Sequence, residues 1–248
     1  MIEILRLDNL KRNFGGLMAV DGISLSVAPG ERRAIIGPNG AGKTTLFNLI
    51  SGELPAAAGK IFLADQDVTG RPAHARARLG MGRTFQRNNL FFGLSAFENV
   101  RLAVQHRQGI SRRYFASVSR FGAANRDALS LLERVGLGDS PDTLAGALAY
   151  GQQRALEIAL ALATEPKLLL LDEPTAGMSP AETAEIVRLI NGLPRDLTIL
   201  IIEHDMDVIF SLADRISVLY YGRLLAEGAP AEIKANRKAQ EIYFGVTL

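Results

Sequence analysis

Short alternating or apolar runs of positions occupy residues 2–7, 23–27 and 33–36, and each run is bounded by Gly, Pro or Asn. These runs predict three short strands in the first third of the chain. Farther along the pattern changes. Residues 155–164 are apolar over a helical length and predict a buried helix, whereas the leucine run at 168–171 predicts a strand buried on both faces, as in parallel sheets. After Pro180 the helical pattern AETAEIVRLI leads to Pro194, then to an apolar strand at 197–202 and a second helix near 206–213. Such β-α-β-α alternation implies a parallel sheet with helices on its faces. Runs at 216–220 and 223–227, joined at Tyr221-Gly222, predict a hairpin, and Pro230 opens a short last helix. Residues 93–160, mostly helical in pattern, are expected to form a lobe inserted into the sheet domain.

Composition narrows the picture. A chain of 248 residues, 48% of them hydrophobic, can bury a sizeable core in one α/β domain or two small lobes. There is no cysteine, which excludes disulfides and thiolate metal sites and fits a reducing compartment; three histidines leave little room for zinc. The first residues lack the long apolar stretch and small-residue cleavage site of a signal peptide. Apolar runs such as 168–171 and 199–202 fall far short of the roughly 20 residues a bilayer span needs, so the chain is not expected to cross a membrane.

The formal net charge of +2 is unevenly spread. Between Asp67 and Asp127 there are eleven arginines, no lysine and one acid, Glu98, so this stretch carries +10 and the remainder −8. Two readings stand side by side: a solvated helical face, or a surface lying near anionic phospholipid headgroups. No motif that reads DNA or RNA accompanies the charge, and nucleic acid is not an expected partner.

Three constellations carry candidate chemistry. The run Gly37-Pro38-Asn39-Gly40-Ala41-Gly42-Lys43-Thr44 satisfies the G-x-x-x-x-G-K-[ST] phosphate-loop pattern between a predicted strand and a predicted helix that continues with Thr45. Chance gives this pattern on the order of once per hundred chains of this length, and the flanking strand and helix lower that further. Its glycines let successive N–H groups turn inward around phosphates at a helix amino terminus. Lys43 would reach the β- and γ-phosphates and the Thr44 hydroxyl would hold Mg²⁺. The buried strand at 168–171 ends in Asp172-Glu173, where open parallel sheets bind ligands. Asp172 would support Mg²⁺ and Glu173 would polarise the attacking water, since phosphoryl transfer needs charge stabilisation and an oriented nucleophile. Taken alone, such acids could equally cap the next helix. His204, after the strand at 197–202, is placed to reach a γ-phosphate or to be structural, and the Gln86 amide is placed to coordinate Mg²⁺ or water.

In this order, the phosphate loop, Gln86, Gly151-Gln152-Gln153-Arg154, Asp172-Glu173 and His204 resemble the ATP-binding-cassette ATPases, over essentially the whole chain. The resemblance implies an α/β P-loop NTPase (RecA-like) core with a parallel sheet, an N-terminal antiparallel β subdomain and an inserted α-helical subdomain. Mapped here, residues 1–92 and 161–227 would form the core with its β subdomain, 93–160 the helical subdomain and 228–248 a helical tail, together one nucleotide-binding domain. It implies ATP and Mg²⁺, sandwiched between two such domains, each phosphate loop facing the partner's Leu-Ser-Gly-Gly-Gln motif. The equivalent here, Leu148-Ala149-Tyr150-Gly151-Gln152, lacks the serine hydroxyl. Gly151 and the following helix start still offer N–H groups to the partner's ATP.

Further expectations follow from the same resemblance. Phe14 matches the residue that stacks on adenine, with core packing as the rival reading. The variant motif, Ala176-Gly177-Met178-Ser179-Pro180 and Glu203-His204-Asp205-Met206 are similar to one branch, the cassettes of branched-chain amino acid importers. That branch implies a second ATPase subunit, identical or related, two transmembrane permease subunits and an extracytoplasmic solute-binding protein, with this chain peripheral at the cytoplasmic face of the cell membrane. Alternative solutes are urea, short amides or aromatic acids. An exporter or lipopolysaccharide-extraction ATPase shares the catalytic motifs, and a soluble ATPase acting on nucleic acid or ribosomes fits less well because the chain has no cysteine pair, no heptads and one cassette. The apolar segment 88–100 is expected to receive a membrane subunit through Phe91, Phe92 and Leu94, or to pack inside the helical lobe.

Overall fold

The computed structural model describes residues 3–84, 90–109 and 122–244, with side chains through Ile242. Gln86 and part of the arginine-rich stretch therefore lie outside the described residues.

The chain divides into two compact units. The first comprises Met1–Arg83, Lys167–Glu173 and Pro194–Leu248. It opens with a hairpin of β1 (Leu5–Phe14) and β2 (Leu17–Val27), followed by β3 (Arg32–Ile36) and α1 (Lys43–Ser51). Then come β4 (Ala58–Leu63), β5 (Gln66–Asp67), α2 (Ala73–Arg78) and β6 (Met81–Arg83). The second unit comprises Thr84–Pro166 and Pro174–Leu193, with α3 (Ala96–Arg107), α4 (Gly122–Arg134), α5 (Tyr150–Leu162) and α6 (Pro180–Asn191). Between α5 and α6 the chain returns to the first unit for β7 (Leu168–Asp172). It ends there with β8 (Thr198–Ile202), α7 (Met206–Leu212), β9 (Arg215–Tyr220), β10 (Arg223–Gly228) and α8 (Pro230–Ala235).

Two sheets organise the first unit. One is antiparallel, in the order β2-β1-β4-β5; the other has the order β10-β9-β3-β8-β7-β6, all parallel except the β9–β10 hairpin. The two-residue period divides the core. Ile35, Leu168, Leu170, Leu200 and Ile202 pack with Leu46, Phe47 and Ile50 of α1 and with the antiparallel sheet. On the opposite face Ala34, Ile36, Ile216 and Val218 pack with Ile209 of α7 and Ile233 of α8. Strands β3, β7 and β8 are buried throughout because both faces are covered.

The β1–β2 hairpin extends well past the strands expected at 2–7 and 23–27. Its outer end, around Lys11, Arg12 and Asn13, is exposed or half-buried, so no apolar alternation marks it. Backbone pairing such as Arg12↔Val20 and Phe14↔Leu17 continues there all the same. The helix expected from residue 155 starts at Tyr150, since its first turn is polar and partly exposed.

In the helical unit, starts are written in side chains. Ser95 and Glu98 form a capping box for α3, and Ser179 with Glu182 forms another for α6, which has Pro180 in its first turn. Helix α5 is buried nearly all round, contacting α3, α4 and α6. This unit begins earlier than the expected 93–160 lobe and takes in 174–193, because α6 packs on α5.

Several arginines of the basic stretch serve the fold. Arg76 is fully buried, Arg83 is paired with Glu53 and Asp172, and Arg107 with Asp127 and Glu165. No helix among the described residues is long and apolar enough to cross a membrane.

Candidate functional site

The phosphate loop leaves β3 at Ile36 and enters α1 at Lys43. Two of its glycines are required by close approach. A Cβ on Gly37 would overlap the Leu219 carbonyl oxygen, and one on Gly42, which has φ 98°, would overlap that of Ala19. Gly42 is also the N-cap of α1 and contributes no side-chain acceptor, so the first-turn N–H groups face the loop without a side-chain cap. The loop is braced by hydrogen bonds from Ala41 N–H to Pro38 O (3.1 Å) and from Gly222 N–H to Ala41 O (3.0 Å). Asn39, Gly40 and Thr44 are exposed, and Thr45 is half-buried. Beside the loop lies a cavity of about 360 Å³, bordered by 38–41 on one side and Tyr220, Tyr221 and Glu241 on the other.

Lys43 Nζ donates to the carbonyls of Gly37 (2.6 Å) and Pro38 (3.1 Å). Burial lowers its pKa from the usual lysine range, while the nearby Glu173 and Asp172 carboxylates act in the opposite direction. The structure thus brings the loop lysine and the two strand-end acids into one electrostatic neighbourhood.

Asp172 is buried at the end of β7. Its Oδ2 accepts from Arg83 Nη2 at 3.1 Å, and Arg83 Nη1 reaches Ser51 Oγ (2.7 Å) and Glu53 Oε2 (3.2 Å). The other oxygen, Oδ1, is buried with no hydrogen-bond partner, a costly condition that a cation would relieve. Desolvation raises the Asp172 carboxyl above the usual range, against the Arg83 charge, with Glu173 and Glu53 adding to the rise.

Glu173 follows in a left-handed backbone conformation, φ 48°, that few non-glycine residues adopt. Its N–H donates to Ile202 O at 2.9 Å, tying the ends of β7 and β8 together. Such strain, held by surrounding structure, is characteristic of functional positions. One residue beyond Ile202, the Glu203 side chain is wholly buried; its Oε1 accepts the His204 N–H (2.8 Å) and lies 3.2 Å from His204 Nδ1. The His204 side chain is 65% exposed, which leaves Nε2 as the ring nitrogen not turned to Glu203. Asp205 is occupied otherwise, as N-cap of α7.

Phe14 lies at the tip of the β1–β2 hairpin, 45% exposed, beneath the Arg12 guanidinium at 4.9 Å from its ring centre. It is not a core residue. In the helical unit, Ala149 is the N-cap of α5 and supplies no side-chain oxygen, while Gln152 Oε1 accepts the Ala149 N–H at 3.0 Å. The Gly151 N–H, expected to be available to a phosphate, donates instead to Glu182 Oε1 at 3.3 Å. Phe91 and Phe92 are exposed and Leu94 is half-buried.

The sequence reading missed two contributors, Arg83 and Glu203. Arg83 sat within a charge run that hid its individual role, and nothing about a glutamate beside a histidine says which way it points.

Comparison with known proteins identifies the family. A family model described as ABC transporter matches residues 20–176. The chain is similar to the high-affinity branched-chain amino acid transport ATP-binding proteins BraF of Pseudomonas aeruginosa and LivG of Escherichia coli K12. Each is 41% identical over 251 residues, with 98% of both chains covered. Among solved structures, the ADP conformation of MJ1267, an ATP-binding cassette of an ABC transporter, superposes with a TM-score of 0.86 at 32% identity, covering 99% of this chain and 100% of that one.

Proposed function

This chain belongs to the ABC transporter ATPase family, and from that premise we propose that it is the ATP-hydrolysing subunit of an importer for branched-chain amino acids. The solute class is supported by 41% identity, sustained over 98% of both chains, to two proteins named for that transport. The chemistry is supported by one observation above the others: the phosphate loop runs into α1 with no side-chain cap on the helix start, and its Lys43 Nζ is held on the loop's own Gly37 and Pro38 carbonyls.

In this reading the N–H groups of Gly37, Asn39, Gly40, Ala41 and Gly42, with Pro38 shaping the loop but offering no N–H, and with the first turn of α1 at Lys43, Thr44 and Thr45, cradle the phosphates of ATP. Lys43 exchanges its loop carbonyls for β- and γ-phosphate oxygens. Glu173 orients and polarises the attacking water, and His204, steered by Glu203, contacts the γ-phosphate through Nε2. Phe14 offers its exposed ring to adenine. Thr44, Asp172 and Gln86 would hold Mg²⁺, and the unpartnered Asp172 Oδ1 fits that use. Held there, the ion would offset the negative charge of the phosphates.

The site is half of a composite. Gly151 and Gln152 are offered to the ATP of a second ATPase subunit, and the pair works beneath two transmembrane permease subunits at the cytoplasmic face, fed by an extracytoplasmic solute-binding protein. Residues 1–248 act as one nucleotide-binding domain, in which dimer closure moves the permeases and hydrolysis resets them.

The test is purification of the chain with its membrane partners, followed by uptake of labelled leucine, isoleucine and valine into proteoliposomes. ATP-dependent uptake of at least one is expected, and Glu173→Gln should abolish it while trapping an ATP-bound dimer. Transport of a different solute, or export of a lipid, would refute the substrate class and leave the mechanism standing.

A further inference from the structure

Phe14 pairs with Leu17 across the turn Gly15-Gly16 at the tip of the first hairpin, and its ring is 45% exposed. No described atom stands within 4 Å of a Cβ placed on Gly15 or Gly16, so the space beside the tip is open. One face of the ring is nevertheless taken. The Arg12 guanidinium carbon lies 4.9 Å from the ring centre, within the range at which a cation is drawn to an aromatic face. Arg12 is half-buried, and its Nη1 donates to Pro55 O at 3.0 Å.

Pro55 belongs to the segment that closes α1. The N–H groups of Glu53 and Leu54 both donate to Asn48 O at 3.0 Å, and the Ala57 N–H returns to Lys11 O on β1 at 2.9 Å. Arg12 therefore joins the ring to the far end of the helix whose first turn follows the phosphate loop. The near end of that helix touches the same hairpin, because a Cβ on Gly42 would lie 2.3 Å from Ala19 O. Ala19 is two residues from Leu17, the strand partner of Phe14, which puts Phe14 about 7 Å along the hairpin from the helix start. A nucleotide whose phosphates sit at that start reaches the ring with its base.

We propose that Arg12 is a positioning residue for the nucleobase: held by Pro55 O, its guanidinium covers one face of Phe14 and fixes the ring, so that the base stacks on the other face. This rests on the proposed reading of Phe14 as the ring that meets adenine. A free ring turns, and gives up that freedom when a base binds; a ring already held gives up little. Arg12 acts on the base end of the nucleotide, so it governs affinity for the base and not the hold on the phosphates.

The test is equilibrium binding to the full chain of ATP and of inorganic tripolyphosphate, which has the phosphates and no base. Arg12→Met removes the cation and the donor. It should weaken ATP binding about fivefold, the cost of ordering one side chain, and leave tripolyphosphate binding within twofold. Phe14→Leu should weaken ATP binding at least as much, and adding Arg12→Met to it should change nothing further, since the two side chains act as one unit. Arg12→Gln keeps a donor for Pro55 O without the cation, and decides the matter by the same readings if the methionine variant does not fold. Unchanged ATP affinity in the Arg12 variant overturns the inference. So do equal losses for ATP and tripolyphosphate, which would make Arg12 a charge for the phosphates, and a fivefold loss that persists without Phe14, which would make it a brace of the hairpin. A Phe14→Leu chain that binds ATP as tightly as the parent overturns the stacking reading beneath it as well.

Discussion

His204 Nδ1 lies 3.2 Å from Oε1 of Glu203, a carboxylate with no solvent exposure, while the imidazole itself is largely exposed. A histidine held at one nitrogen presents the other in a fixed direction and tautomer. Glu203→Gln retains an oxygen for the His204 N–H and weakens the hold on the ring. Steady-state ATPase should fall roughly tenfold, the equivalent of about 1.4 kcal/mol, with the KM for ATP little changed. A loss carried wholly by KM would mean that the pair serves binding alone.

Asp172 gives a pH signature. Its folded carboxyl is raised above the ordinary value by desolvation, against the Arg83 charge. Such a group binds its proton more tightly in the folded chain, so stability is lost as pH rises from the ordinary carboxylate value through the raised one. Asp172→Asn cannot titrate. Thermal unfolding in steps from about pH 4 to 7 should show the parent losing stability relative to the variant as pH rises, and a difference between the two that does not change with pH would contradict the assignment.

Arg76 is a fully buried cation whose hydrogen bonds all go to carbonyls. It donates to Leu49 O (2.7 Å) and Ile50 O (2.6 Å) at the end of α1, and to Thr69 O (3.0 Å) and Arg71 O (2.9 Å). Burial lowers its pKa to about 10, which leaves it charged at neutral pH. Arg76→Met would strand these acceptors and cost on the order of 3 kcal/mol. Calorimetry should show a drop in Tm of roughly 10 °C.

Phe91 and Phe92 are 61% and 47% exposed on a loop held by buried Asn99, which accepts the Phe91 N–H (2.9 Å) and donates to Phe91 O (3.1 Å). Exposed aromatic pairs on a fixed loop suit a protein interface. Replacing both by serine should leave the ATPase of the isolated chain within twofold and sharply lower its copurification with membrane subunits. Undiminished copurification would move the docking surface elsewhere.

How far the sequence reaches can be judged residue by residue. The leucines at 168–171 and the apolar run ending at Ile202 announced their strands, since burial on both faces leaves no polar position. The outer half of the first hairpin did not announce itself, because its β1 residues from Lys11 on are exposed or half-buried and carry no apolar alternation, while the backbone pairing continues. Among site residues, the loop at 37–44 and the pair Asp172-Glu173 were legible because their chemistry is fixed by local spacing. Arg83 was not, since its value lies in reaching Asp172, 89 positions away in the chain.

The sequence by itself determined the phosphate-binding loop, the strand-end acids, the parallel α/β core and the family. Each is local: a turn needs its glycines, a cap needs its hydroxyl, and a buried strand needs its apolar run. Tertiary structure alone decided that Asp172 keeps one oxygen unpartnered, that Glu203 steers His204, that Phe14 stands outside the core and that Tyr150 is bonded to Ala176. These are relations between side chains brought together by packing. Hydrogen-bond direction and burial depend on what the fold places alongside, which no run of neighbouring residues records.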